Sequence, residues 1–144
     1  MTPLYSYYRS GNNAIAYKST TSGVAKESST DSFVYTANPS QAPTVTANVN
    51  AAIVNAFYVV NSIHDISYLY GFTEAAFNFQ NDNQGKGGKG NDRVTISVQD
   101  SAGTDNADFS TPADGSSGHM RMFLWDLTNV CAFMTPSSCL NSCP

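Results

Sequence analysis

The stretch TANVNAAIVNAFYVVNSIHDISYLY, residues 46–70, carries the clearest apolar pattern in the chain. Its large apolar residues recur at intervals of four, four, three and three positions, at Val49, Ile53, Phe57, Val60 and Ile63. This is the spacing of one face of an α-helix. Thr44 or Thr46 is placed to cap the start, and Gly71 follows where a glycine would end the helix. The sequence therefore predicts one long helix over about residues 46–70.

Alternation of apolar and polar residues predicts β-strands on both sides of this helix. The pattern is clearest at residues 94–98 and 120–125, and shorter pieces occur at residues 14–17 and 33–35. A β-rich start, one long helix and then antiparallel strands joined as hairpins make up an α+β fold.

The segments between these elements are predicted from their composition. Residues 81–91 hold four glycines in eleven positions and are expected to form a loop. Residues 74–79 are expected to form a second, shorter helix or turn. Residues 100–103 are expected to turn, residues 105–109 to be extended, and residues 111–118 to form a loop.

Composition limits the functions that this chain can have. Its 144 residues suit one domain. The net charge is −4 and only 12% of residues are charged, so no basic cluster is available to bind the phosphates of a nucleic acid. No apolar run reaches the 18 residues of a membrane span. We therefore expect neither nucleic acid nor membrane as a partner.

The first residues, MTPLYSYYRSGNN, lack the basic and apolar segments of a secretory signal. Two readings follow from this absence. Either the protein is intracellular, or the chain begins downstream of a signal and any propeptide.

All three cysteines, Cys131, Cys139 and Cys143, lie in the last fourteen residues. Their spacing does not form a CxxC pair, and three thiolates lack the fourth ligand of a structural zinc site. A disulfide with one remaining thiol is an alternative. The abrupt change in composition favours a third reading, in which residues 127–144 are a divergent tail foreign to the domain.

Several separate blocks of this sequence resemble the fungalysin family of secreted fungal zinc metalloendopeptidases. They include GFTEAAFNFQ at residues 71–80, NDNQGKGGKGNDRV at 81–94 and QDSAGTDNADFSTPADGSSGHMRMFLWD at 99–126. The helix segment from Phe57 to Phe72 and the start at Gly11 fit the same family. The resemblance implies that residues 1–126 form the N-terminal, β-rich lobe of a thermolysin-like peptidase domain. It also implies a secreted, extracellular protein that acts in proteolysis.

Zinc is the cofactor that this family implies, held by an HExxH helix and a later glutamate. The family's helix follows shortly after the Trp-Asp pair that stands here as Trp125-Asp126, yet no HExxH occurs in this sequence. Two imidazoles one helical turn apart and the glutamate between them are what the chemistry needs. We therefore expect a chain truncated before its zinc helix, with no catalytic residues, no metal ligands and no activity of its own.

Histidine is scarce, with His64 and His119 as the two copies in the sequence. His64 is expected at the edge of the core, bonded to a carbonyl or a carboxylate. His119 follows Gly118 and is expected in an exposed loop without a role.

Asn106 and Ala107 are the predicted substrate-binding residues. In proteases of this type, an edge strand before the catalytic helix binds the backbone of an extended peptide, which is strand addition to a sheet edge. The resemblance assigns this role to residues 104–109. Ala107 is small enough for a second backbone to approach, and the Asn106 amide both donates and accepts hydrogen bonds. An ordinary Asn-Ala turn is the alternative.

Beyond the peptide substrate, the absent C-terminal lobe and a propeptide are the expected partners. Two other readings of function remain. The chain is a non-catalytic module that binds peptides or proteases, or it is an unproductive truncated gene product.

Overall fold

The computed structural model describes residues 10–18 and 34–125. In chain order, the elements are β1 (Ala14–Lys18), α1 (Thr46–Leu69), a 3₁₀ turn (Glu74–Ala76), β2 (Val94–Thr104), β3 (Ala107–Ser110) and β4 (His119–Leu124). The predicted tail, residues 127–144 with its three cysteines, lies outside the described residues, as does Phe33. Within the described ranges, no helix is long and apolar enough to cross a bilayer.

The four strands form one mixed sheet in the order β1-β2-β4-β3. β1 pairs with β2 in parallel, β2 pairs with β4 in parallel, and β3 pairs with β4 in antiparallel fashion. The α+β class is confirmed. The prediction of antiparallel strands and hairpins is wrong for two of the three pairings, because the parallel partners are joined by long connections and not by tight turns.

Helix α1 confirms the predicted long helix almost residue for residue. It ends in a Schellman motif, in which the Phe72 N–H donates to Ser67 O and the Gly71 N–H donates to Tyr68 O. Gly71 has φ of +100°, as its position requires. The predicted N-cap is wrong: Val45 occupies that position and makes no side-chain capping bond.

The core lies where α1 crosses β1 and β2. Ala14 and Ala16 on β1 are fully buried, and their small side chains let the helix approach the sheet. The helix contributes Val49 and Ile53, and β2 contributes Val94, Ile96 and Val98.

Two local predictions fail in the strands. Residues 34–35 are not part of a strand, and Val34 is 77% exposed. β2 continues through the predicted turn at residues 100–103, with a bulge at Gln99, where φ is +46° and the register with β4 shifts between Val98 and Asp100. The Asp100 carboxylate accepts hydrogen bonds from Ser97 Oγ and the Ala102 N–H.

A buried carboxylate joins two loops at one end of the sheet. Asp92 is 1% exposed. Its Oδ1 accepts from the Gln80 N–H at 2.8 Å and its Oδ2 accepts from the Gly115 N–H at 3.0 Å. This residue therefore ties the segment after the 3₁₀ turn to the connection between β3 and β4.

Candidate substrate-binding edge

β3 lies at the edge of the sheet, and all four of its residues are exposed. It pairs with β4 through Ala107↔Met122 and Phe109↔Met120 on the face toward α1. Asp108↔Arg121 and Ser110↔His119 lie on the opposite face. On its other side, β3 has no strand partner among residues 10–18 and 34–125. Unpaired backbone groups at such an edge are a template for a further strand.

The backbone at residues 105–107 sets which groups face this free edge. The Asp105 N–H donates to Leu124 O at 2.9 Å, and Asp105 has φ of +53°. The Phe123 N–H then donates to Asn106 O at 3.0 Å. In a trans peptide, the carbonyl of one residue and the N–H of the next point in opposite directions. Because Asn106 O points toward β4, the Ala107 N–H points toward the free edge.

The side chain of Asn106 accepts a hydrogen bond from this outward-facing N–H. Its Oδ1 accepts from the Ala107 N–H at 2.8 Å. A backbone carbonyl of an incoming peptide would replace Asn106 Oδ1 as the acceptor of the Ala107 N–H. The Asn106 side chain would then be free to bind the same peptide. The structure therefore brings the two predicted substrate-binding residues together at the edge, and their role in binding stays a prediction.

An ion pair holds β3 onto β4. Arg121 donates from Nε to Asp108 Oδ1 at 2.8 Å and from Nη2 to Asp108 Oδ2, in a two-pronged arrangement. The hydrogen bonds from Arg121 lower the pKa of Asp108, and the same contacts raise the pKa of Arg121. Close by, the Ser97 hydroxyl and the Ala102 N–H lower the pKa of Asp100. These bonds were not foreseen from the sequence.

The two histidines are held by separate parts of the fold. His64 has a side-chain exposure of 10%; its Nδ1 is 3.3 Å from Asp65 Oδ1 and its Nε2 is 3.4 Å from Asn78 Nδ2. This agrees with the predicted core-edge position and carboxylate contact. The prediction for His119 is wrong: it begins β4, is half-buried, and has Nδ1 at 2.7 Å from Thr95 Oγ1.

Next to β3, the structure contains a cavity of about 460 Å³ on the α1 side of the sheet. Its walls include Phe109 of β3 and Phe79, whose ring centroids are 6.0 Å apart in an edge-to-face contact. Gly118 makes room for the Phe109 ring, since a Cβ there would lie 2.7 Å from the ring's Cζ. The cavity therefore adjoins the edge strand directly.

The family comparison agrees with the resemblance described above. The model of the fungalysin metallopeptidase family (M36) matches residues 5–135. The chain belongs to the fungalysin family. Similar proteins include the extracellular metalloproteinase MEP of Fusarium vanettenii, 47% identical over 121 residues, and that of Pyricularia oryzae, 44% identical over 124 residues. Extracellular metalloproteinase 5 of Arthroderma otae is 43% identical over 121 residues.

These alignments cover 80% or 82% of this chain but 19% of each relative. The chain thus spans about a fifth of the length of the curated relatives that it matches. It shares with them a segment of a larger protein.

Membership of this family implies a metal, and zinc is the usual one. The described residues do not fit a zinc site. No three His, Cys, Asp or Glu side chains come together within residues 10–18 and 34–125, whereas zinc in proteins takes three or four such ligands. Of the two histidines, His64 contacts Asp65 and Asn78, and His119 contacts Thr95.

Proposed function

We propose that residues 104–109 bind an extended peptide by strand addition, as part of a thermolysin-like zinc metalloendopeptidase. The observation that supports this most directly is the Ala107 N–H, which faces the free edge and, within residues 10–18 and 34–125, donates to the Asn106 side chain. A strand whose donors and acceptors face outward can bind peptide backbone of any sequence. This is the property that an endopeptidase of broad substrate range needs.

We also propose the wider setting of this segment. In the complete enzyme, the described residues form the N-terminal lobe and one wall of the cleft. The enzyme is secreted and acts on extracellular proteins. Three relatives named extracellular metalloproteinase support this setting.

A polypeptide of these 144 residues is not itself a peptidase in this proposal. Its sequence contains no HExxH, so it lacks the imidazole pair that holds zinc and the glutamate that serves as general base. The purified chain is expected to contain no stoichiometric zinc and to leave casein intact. Zinc at one equivalent, together with casein hydrolysis that a chelator stops, would refute this part.

The edge itself is tested by titrating the chain with an extended peptide and following backbone amide signals by NMR. Shifts should concentrate at residues 105–109. Ala107→Pro removes the outward N–H and leaves the bonds to β4, as edge strands tolerate. One lost hydrogen bond should weaken peptide binding about three- to tenfold.

Matched control peptides come from alternate N-methylation. In an antiparallel pair, every second residue directs its N–H toward the partner strand. Methylating one set of alternate residues should abolish binding, whereas methylating the other set should be tolerated. Full binding by both methylated peptides would contradict strand addition.

A second proposal concerns partners, and the exposed apolar side of α1 favours it. Val59, Ile63 and Ile66 are all at least 40% exposed on this helix. Val59 and Ile63 face a second cavity of about 380 Å³, which Met120 and Met122 of β4 close from the sheet side. An apolar surface of this kind marks a contact site. We propose that the rest of the peptidase domain, or its propeptide, packs here.

This second proposal would let the chain act as a non-catalytic module that binds proteases. The chain is mixed with the separately produced remainder of a relative's peptidase domain, and complex formation is measured by size-exclusion chromatography. Val59→Asp should abolish the complex, whereas Asn55→Asp at the same surface should weaken it less. No complex with either the remainder or the propeptide leaves the unproductive gene product as the better description.

A further inference from the structure

Strand β3 is short, exposed and joined to the sheet through β4. It consists of the four residues Ala107–Ser110, which pair with residues 119–122, whereas strands commonly have about five or six residues. Exposed segments with few buried contacts open locally at a low free energy. The contacts that keep β3 on β4 therefore also determine how well its free edge is formed.

Asp108 lies between the two residues of β3 whose N–H groups face outward. Alternate residues of an antiparallel strand direct their N–H groups to opposite sides. Because the Ala107 N–H points toward the free edge, the Phe109 N–H points there as well, and the Asp108 N–H points toward β4. The Asp108 side chain also bonds to β4, through Arg121 directly opposite. Both the backbone and the side chain of Asp108 thus hold the outward-facing donors in place.

The partner of Asp108 is itself held in position. The Arg121 guanidinium lies over the Phe123 ring, with Cζ 5.7 Å from the ring centroid, where a cation and an aromatic ring attract each other. The hydrogen bonds to Asp108 raise the pKa of Arg121, and the nearby Asp100 carboxylate on β2 raises it further. A guanidinium fixed by these neighbours loses little additional freedom when it binds Asp108.

The exposure of the pair limits its strength. The side chain of Arg121 is 37% exposed and that of Asp108 is 42% exposed. Exposed ion pairs stabilise proteins only weakly, although two-pronged pairs with arginine are among the stronger ones. Such a contribution is small beside the stability of a whole domain, but it is large beside the low free energy at which a four-residue strand opens. Its effect is therefore expected in β3 itself.

We propose that Asp108 and Arg121 are positioning residues for strand addition, which hold β3 extended and in register before a peptide binds. Neither side chain contacts the peptide in this role. A binding surface that is already ordered binds more tightly, because no ordering of the strand then opposes binding. This proposal rests on the strand addition proposed above.

Amide hydrogen exchange in the free 144-residue chain tests the order of β3 without a peptide. The Phe123 N–H donates to Asn106 O, so its exchange reports whether β3 is attached to β4. Asp108→Asn should speed this exchange about three- to fivefold. Asp108→Glu keeps a carboxylate for Arg121 and should change it less than about twofold. Asp82→Asn, at an exposed aspartate of the glycine-rich loop, should leave it unchanged.

Binding of an uncharged peptide then tests whether this order matters for strand addition. A short peptide of threonine and valine, acetylated and amidated, can form no ion pair with Asp108 or Arg121. Asp108→Asn should still weaken its binding about three- to fivefold, although circular dichroism shows the variant to be folded. A general loss of stability cannot explain this result, because affinity falls only when the binding-competent fraction falls.

A double variant shows whether the two residues act as one pair. Arg121→Gln should weaken peptide binding as much as Asp108→Asn does, and the double variant should bind no more weakly than either single variant. Additive losses would overturn the proposal. Unchanged exchange at Phe123 in Asp108→Asn, or faster exchange with unchanged peptide affinity, would overturn it as well. If the unaltered chain binds no peptide while exchange at Phe123 responds as expected, strand addition itself fails and only the ordering of β3 is supported.

Discussion

Replacing Asp92 is expected to be the most damaging single change to a polar residue in the described fold. The carboxylate is 1% exposed and accepts two backbone N–H groups, from Gln80 and Gly115. Asp92→Ala leaves both donors without an acceptor. A buried unsatisfied donor costs about 1–3 kcal/mol. The Gly115 N–H is only part-buried, so water recovers some of its loss, and the expected total is about 3–4 kcal/mol.

Asp92→Asn separates the hydrogen bonds from the charge. The amide oxygen can serve one of the two donors, but the amide NH₂ then faces the other. The expected cost is that of one lost bond, about 1–3 kcal/mol. Asp82→Asn is the control, because Asp82 is exposed and its Oδ1 accepts a single N–H, from Gln84 at 2.8 Å. An asparagine can make the same bond, so this change should stay within about 0.5 kcal/mol.

Urea unfolding followed by circular dichroism measures these differences. With a denaturant slope of about 1–3 kcal/mol per molar for a small domain, a loss of about 3–4 kcal/mol in Asp92→Ala should lower the midpoint by about 1–4 M. Asp82→Asn should leave it nearly unchanged. A midpoint for Asp92→Ala equal to that of the unchanged chain would refute the reasoning, because it would mean that the two donors find other partners.

Three further changes test other parts of the fold. Ile53→Ala removes a fully buried side chain and should cost about 2–5 kcal/mol in urea unfolding, whereas Ile66→Ala at an exposed position should cost less than about 1 kcal/mol. Gly85→Ala places a Cβ on a left-handed backbone but in open space, and should lower the free energy of unfolding by about 1–2 kcal/mol. Gly88→Ala should lower it clearly more, because the backbone there is also left-handed and the Cβ would clash with the Glu74 carbonyl oxygen. The hydrogen bonds from Arg121 lower the pKa of the Asp108 carboxyl. The ion pair therefore stabilises β3 above the ordinary aspartate pKa of about 3.9, and this stabilisation is lost as the pH falls through the lower pKa of the folded state. Amide hydrogen exchange in β3 should become faster at that acidic pH, and Asp108→Asn should remove this pH dependence.

The long helix could be predicted from the sequence because its signals are local. Five apolar residues at helical spacing and Gly71 after them are enough to place α1 within one residue at its end. The loop at residues 81–91 was predictable for the same reason, since glycine and asparagine act on the backbone directly.

The pairing of the strands was not predictable, because it depends on distant parts of the chain. β1 pairs with β2, although 75 residues separate Lys18 from Val94. The continuation of β2 through Asp100 depends on the bonds from Ser97 and Ala102. Read alone, Asp100 to Gly103 has turn composition, and only the tertiary contacts make it a bulged strand.

The candidate site, too, could be predicted from the sequence only in part. Asn106 and Ala107 were predicted to bind substrate because the family resemblance covers them, and this role stays a prediction; periodicity alone gives a strand without a role. Asn78 gave no signal, because it stands between two phenylalanines in a segment expected to form a short helix or a turn. Asn78 is buried because the backbone is left-handed at Phe77 and Phe79. Phenylalanine at these positions does not predict such a conformation, whereas glycine would.

If a peptide pairs with β3 as proposed, the two faces of the strand would contact it at alternate residues. Ala107 and Phe109 lie on the α1 side, next to the cavity, and Asp108 lies on the opposite side in its pair with Arg121. The side chains of a peptide in this proposed position would alternate between an apolar cavity and a charged, exposed surface. Because the ion pair already uses both oxygens of Asp108, that surface offers little to distinguish one outward side chain from another. Selectivity should come from residues of one parity only, while the backbone bonds at Ala107 are the same for every sequence.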